Sequence, residues 1–245
     1  MFSGEKVLGI VPARGGSRRL PRKNITIVAG KPLLLWAVEA GLGSMIVDKT
    51  VLSTDDDSVA DVATEFGVND IMMRPKVLGD DDASMTSVIA HTLRSLENQG
   101  DHFGYLALLQ PTSPLRTSRH IDSAFSLVEE KQVLGAVSVC STEHPLEWMG
   151  KIGSDWVLDS FFNETEMEKQ SQEFVPSYQI NGAIYIVPVE RFLKEETLFL
   201  STGMVAYVMN RRDSVDIDDE YDLRMAEWLL SERQREQGTS EHPIR

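Results

Sequence analysis

The side chains best suited to chemistry lie at opposite ends of the chain. Near the start, the run Val7-Leu-Gly-Ile-Val-Pro-Ala-Arg-Gly-Gly-Ser-Arg-Arg-Leu-Pro-Arg-Lys-Asn24 takes an apolar segment into a glycine-containing loop. From Arg14 to Lys31 there are six basic residues and no acidic one, within a chain of formal net charge −14. Exposed backbone N–H groups and fixed positive charge are what a polyphosphate needs. A solvated basic turn after a strand would have the same composition. The loop contains neither Gly-x-x-x-x-Gly-Lys-Ser/Thr nor Gly-x-Gly-x-x-Gly, so P-loop NTPases and ordinary dinucleotide enzymes lose their main support.

Near the far end stands Asp216-Ile-Asp218. In an extended segment these carboxylates point the same way. Two hard oxygen ligands outline a magnesium site, because magnesium often takes one or two carboxylates with phosphate oxygens. Capping of the following helix by Asp218 or Asp219 competes equally with that reading. A cationic phosphate loop in the same chain favours the metal. Asp55-Asp56-Asp57 is a rival metal site that capping explains more simply, and Asp80-Asp81-Asp82 reads as a solvated loop or cap. The acidic run 164–173 reads as a wet surface. Gln110-Pro-Thr-Ser-Pro-Leu-Arg116 joins amide and hydroxyl groups to a proline-stiffened turn, suited to a nucleobase, ribose or sugar. His91 and His120 fall on predicted helices and read as surface or packing residues.

These groups need a scaffold. Residues 6–13, 50–54, 105–109 and 135–140 read as strands, and stripes such as Val59, Val62, Ala63, Phe66 hold helical spacing between them. Strands at 182–187 and 205–209 and a helix from about Asp219 to Ser231 complete the pattern. The alternation predicts an α/β fold with a mostly parallel sheet flanked by helices. Ligands of such sheets sit at the carboxyl ends of the strands, so the loops opening at Arg14, Asp55 and Gln110 should converge. Residues 141–180 have no clean period and read as an insertion or an arm docking on a partner subunit. Residues 1–232 form one domain in this reading, with a polar tail over 233–245.

Composition narrows the class. A 42% hydrophobic, 25% charged chain of 245 residues suits one large soluble domain. The acidic balance argues against nucleic acid and against an anionic membrane surface. With Cys140 alone, no intrachain disulfide or multi-cysteine zinc site exists. The expected compartment is the cytoplasm.

Taken in order, Pro12-Ala-Arg-Gly-Gly-Ser17, Leu20-Pro-Arg-Lys-Asn24, Ser53-Thr-Asp55, Arg74-Pro75, Leu109-Gln-Pro-Thr-Ser-Pro-Leu-Arg116, Asn181-Gly-Ala-Ile-Tyr185 and Asp213-Ser-Val-Asp-Ile-Asp218 resemble the acylneuraminate cytidylyltransferase family, the CMP-sialic acid synthetases. The resemblance implies a Rossmann-like nucleotidyltransferase fold with a small dimerisation arm at 141–180. It implies transfer of CMP from CTP to the anomeric hydroxyl of a 2-keto-3-deoxy sugar acid, with release of pyrophosphate. Ala13, Arg14, Ser17, Arg18, Lys23 and Asn24 would surround the triphosphate, and Arg74, Thr112 and Ser113 the cytidine. Gln110, Asn181, Tyr185, Leu198 and Phe199 would face the sugar, with Leu198-Phe199 resembling a stretch that reaches into a partner's pocket. Asp216 and Asp218 would hold Mg2+, and Arg14 and Lys23 would share the catalytic work. A homodimer is implied. The segment Lys169–Ile180 lacks the arginines that family members commonly carry before Asn-Gly-Ala, so a legionaminate- or pseudaminate-type acid stands beside N-acetylneuraminate as substrate. An eight-carbon keto-deoxy acid, or a non-catalytic nucleotide-sugar sensor, is the alternative.

Overall fold

A computed structural model of the chain describes residues 1–17, 19–157 and 169–240. Strand β1 (Val7–Pro12) is buried along its whole length, as a strand covered on both faces must be. A two-stranded hairpin, β2 (Ile27–Val28) and β3 (Lys31–Pro32), follows. Then come α1 (Leu33–Leu42), β4 (Lys49–Thr54), α2 (Asp57–Glu65), β5 (Ile71–Met73), α3 (Met85–Asn98), β6 (Tyr105–Leu108), α4 (Ser118–Lys131) and β7 (Gly135–Ser141). The chain closes with β8 (Tyr178–Pro188), α5 (Val189–Glu195), β9 (Met204–Val208) and α6 (Glu220–Ser240).

The main sheet has seven strands in the order β5-β4-β1-β6-β8-β7-β9. β8 runs antiparallel to both neighbours, and the other pairings are parallel. The mostly parallel, helix-flanked sheet read from the sequence is therefore the observed one. Side chains of α1, α2 and α4 (Leu34, Ala63, Phe125 among them) cover one face. α3 and α5 cover the other through Ile89, Leu93 and Phe192. A smaller cluster packs Leu229 and Leu230 of α6 on Leu33, Leu115 and Ile217. Ile217 is completely buried there. Burying such a side chain is worth about 1.5–3 kcal/mol, and it pins the acidic segment around it.

Three departures from the sequence reading have local causes. The β2–β3 hairpin and β5 are too short to show a period. β8 starts at Tyr178, inside the stretch read as irregular. α6 continues through Ser240 instead of ending near Ser231, because Glu, Arg and Gln are good helix formers and Arg235 pairs with Glu232 at 2.7 Å. Residues 241–245 of the expected tail lie outside the described residues, as do 158–168 of the expected arm. In the described part of that arm, Trp148 meets Phe174 edge-on with centroids 5.9 Å apart. Among the described residues no helix is long and apolar enough to cross a membrane.

Candidate active site

β1 delivers the chain to the sheet edge, where Ala13 N–H is taken by the Ser53 carbonyl at 2.9 Å. The loop beyond is shaped by close approach: a Cβ on Gly15 would lie 2.1 Å from Asp56 Oδ2. Asn24 Nδ2 donates to the Arg14 carbonyl at 2.8 Å, clamping the loop from inside. After Arg22, at φ 58°, a single 3-10 turn (Lys23–Ile25) aims Lys23 across the molecule. Its Nζ donates to the carbonyl of Ile217 at 2.6 Å. The cationic loop and the acidic segment, 194 residues apart in sequence, thus meet.

The acidic segment lies outside any strand or helix, since β9 ends at Val208 and α6 begins at Glu220. It is held by the buried Ile217 side chain and by Ile217 N–H donating to the Thr112 carbonyl at 2.8 Å. Asp219 caps α6, accepting from Tyr221 and Asp222 N–H at 2.9 and 3.1 Å. Neither Asp216 nor Asp218 is spent on capping. Asp218 is exposed and pairs with Arg19 at 2.7 Å. Asp216 keeps an exposed face, but the protein packed about its carboxyl strips part of its hydration, and that desolvation, with the charges of Asp218 and Asp222 adding, raises the carboxyl above the usual aspartate range. A hydrogen bond from Thr112 and the charge of Lys23 oppose the rise without cancelling it. Burial correspondingly lowers Lys23 below the usual lysine range, against the pull of Asp218 and Asp216.

Gln110 and Thr112 come from the turn after β6 and face the same cleft, a volume of about 290 Å³ also lined by Arg14, Ser17, Lys23 and Arg74. On the far wall Arg74 donates to the Ser53 carbonyl at 2.9 Å and to Asp55 Oδ1 at 2.7 Å. Asp55 itself is pressed by the turn at Gly79, where a Cβ would lie 2.1 Å from Oδ2. Asp56 caps α2 through Ser58 and Val59 N–H. The acidic triplet therefore does two structural tasks and is no metal site. Asp81 takes Arg14 at 2.8 Å. Among the described residues no group of three or more His, Cys, Asp or Glu side chains gathers as metal ligands. Asp216 and Asp218 would thus need oxygens from a bound ligand to complete a shell.

The remaining expected site residues divide sharply. Tyr185, its phenol raised by burial and by the charge of Asp216, stands edge-on to Phe199 at 5.8 Å. Asn181 and Ser113 are buried. The Asn181 amide is fully occupied: Oδ1 accepts from Ser138 and Ala183, and Nδ2 donates to Ser214 and Met209. Ser113 Oγ donates to the Asn181 carbonyl. Both support the site from behind instead of facing the cleft. Leu198 packs into the core under the sheet, where its apolar side chain is withdrawn from solvent. Arg18 lies outside the described residues. Sequence reasoning missed Arg19 as the partner of Asp218, and Leu78, Met85 and Val88 as cleft walls. The i, i+3 spacing of Met85 and Val88 at the start of a helix was the available signal.

The profile of one protein family, described as cytidylyltransferase, matches residues 8–181. The chain belongs to the cytidylyltransferase family. This cytidylyltransferase is 33% identical over 232 residues to an N-acylneuraminate cytidylyltransferase of Escherichia coli, covering 94% of this chain and 54% of that protein. It is 32% identical to a pseudaminic acid cytidylyltransferase of Campylobacter jejuni, covering 91% of this chain and 96% of that one. It is 31% identical to a CMP-N,N'-diacetyllegionaminic acid synthase of Legionella pneumophila, covering 92% and 96%. Its fold matches a CMP:2-keto-3-deoxy-manno-octonic acid synthetase complexed with CTP, at a TM-score of 0.69 and 16% identity over 93% of this chain and 99% of that one.

Proposed function

We propose that this cytidylyltransferase transfers CMP from CTP to the anomeric hydroxyl of a sialic-acid-like nonulosonic acid, releasing pyrophosphate. The observation that carries the proposal is Lys23 seated on the Ile217 carbonyl between Asp216 and Asp218. A fixed cation and two carboxylates at one cleft mouth suit a triphosphate whose α-phosphorus is attacked by a hydroxyl.

The residues divide the work. Arg14, Ser17 and Lys23 bind the triphosphate, and Asn24 keeps their loop in shape. Arg74, anchored on Asp55, and the Thr112 turn close on the cytidine. Gln110 and Tyr185, with Phe199 beside it, line the sugar side. Asp216 and Asp218 fit magnesium: both are hard oxygen donors free of capping duty, and the partly desolvated Asp216 carboxyl carries incompletely compensated charge. The ion would neutralise charge on the phosphoryl oxygens and the departing pyrophosphate. The Asp216 carboxylate accepts the proton of the attacking anomeric OH.

The same reading makes the protein a cytoplasmic homodimer. Trp156 (78% exposed) and Val175 (82%) in the 141–180 arm are large apolar side chains that a second copy would cover. Sedimentation as a monomer at micromolar concentration would remove the dimer from the proposal. Lys169, the one cation in the run before Asn181, lies over the Phe174 ring at 5.5 Å. The sugar is therefore decided by assay. Pyrophosphate release should be measured with CTP and a panel of N-acetylneuraminate, legionaminate, pseudaminate and an eight-carbon keto-deoxy acid. Turnover on at least one nine-carbon acid is expected. Turnover only on the eight-carbon acid, or on none, would overturn the proposal.

A further inference from the structure

Arg116 is among the largest fully buried side chains of the molecule, yet among the described residues it makes no ion pair. Its Nη1 instead faces three carbonyls: Gln110 at 3.1 Å, Ala183 at 3.3 Å and Ser113 at 3.4 Å. Nε and Nη2 are buried without a partner. A guanidinium carries five donors and is poorly matched to such a place by stability alone.

Its acceptors share a property. Gln110 precedes Pro111 and Ser113 precedes Pro114, so each carbonyl belongs to a peptide group with no N–H on its other side. Turning both oxygens inward onto one cation fixes the two peptide planes of the turn. The third carbonyl lies just past Gly182, at φ +75°, where a Cβ would come 3.1 Å from Gln110 Oε1 and 3.4 Å from Asp216 Oδ2. Arg116 therefore ties the cleft turn to the strand β8 bend at the seam where that turn meets Asp216. Between Gln110 and Ser113 lies Thr112, which bonds the Asp216 carboxyl with its side chain and Ile217 N–H with its carbonyl.

We infer that Arg116 is a positioning residue for the proposed transfer: through the Gln110–Ser113 turn it sets Thr112, and through Thr112 the place of Asp216. The inference rests on the proposed activity for its kinetic readout and stands apart from it for its structural one. In Arg116→Lys, a point donor replaces the fork. Turnover is expected to fall about tenfold, and about 100-fold in Arg116→Met, a larger factor than the accompanying rise in KM for CTP, because misplacing a reacting group costs rate more than binding. Hydrogen exchange of the Ile217 amide should accelerate in both variants, while amides of β1 and β4 keep wild-type rates. This readout needs neither CTP nor sugar, so it survives failure of the wild type to turn over any acid in the panel. Gly182→Ala, which presses the same seam, should reproduce the turnover loss and the faster Ile217 exchange, and serves if neither arginine variant folds. Wild-type Ile217 exchange in folded Arg116→Lys, or a lowered melting temperature with unchanged turnover per folded molecule, would overturn the inference.

Discussion

Asp216→Asn is expected to lose at least about 100-fold in kcat while its melting temperature holds or rises. The rate loss follows from removing one preorganised charge at the reacting centre, worth about 10²–10³-fold where measured. The stability effect has the opposite sign for a definite reason. Lost hydration at its crowded carboxyl, together with the neighbouring Asp218, holds the folded-state pKa of Asp216 above its unfolded value although the residue keeps an exposed face. The native state then binds that proton more tightly, so the carboxylate disfavours folding once pH exceeds the unfolded pKa of about 3.9. The penalty grows until the folded pKa and is constant above it. Asparagine, of the same shape, removes the penalty near neutrality, and its advantage should vanish below about pH 4. In the wild type, the acid limb of kcat/KM should lie above the ordinary carboxylate range, because the free enzyme must ionise Asp216. Full activity in Asp216→Asn, or clear destabilisation at neutral pH, would contradict the assignment.

Lys23→Met is expected to cost about 10²–10³-fold in kcat/KM, spread over both kcat and the KM for CTP. Its Nζ reaches from the amino-terminal loop to the backbone of the acidic segment, while Arg19 of the same loop reaches only the exposed Asp218 carboxylate. Methionine keeps the aliphatic stem and leaves Asp216 and Asp218 facing each other without that cation. Lys23→Arg should not restore the rate, since a planar fork cannot take the place of a compact ammonium on one carbonyl. Burial already lowers the proton affinity of Lys23, so the alkaline limb of the wild-type profile should fall below the ordinary lysine range. A variant with unchanged KM and kcat would show that the contact is only structural.

How much of this was legible in the sequence depended on locality. The buried β1 strand and the α2 stripe through Val59 and Ala63 are local patterns and fold as their periods require, whereas Phe66, placed on the same stripe, falls at the helix C-cap and is exposed. The Asp216-Ile-Asp218 spacing marked out a pair of carboxylates. It could not say that Asp219, one residue on, takes the cap, because that depends on where α6 starts. Arg116 was invisible as a buried group: its acceptors include a carbonyl 67 residues away on β8. Phe199 sits beside Tyr185 while Leu198, one residue earlier, turns into the core, a division that the dipeptide alone did not show. The amide of Asn181 is taken up in holding β7, β8 and the Ser214 turn together, through partners distant in sequence.

The central claim is that the loop carrying Lys23 and the carboxylates Asp216 and Asp218 grip one nucleoside triphosphate together. Calorimetric titration of CTP, with and without magnesium, into the wild type, Lys23→Met and the double variant Asp216→Asn/Asp218→Asn tests it most directly. The expected result is magnesium-enhanced CTP binding in the wild type, loss of that enhancement in the carboxylate variant, and weakened binding under both conditions in Lys23→Met. CTP affinity indifferent to magnesium, or equal in all three proteins, would contradict it.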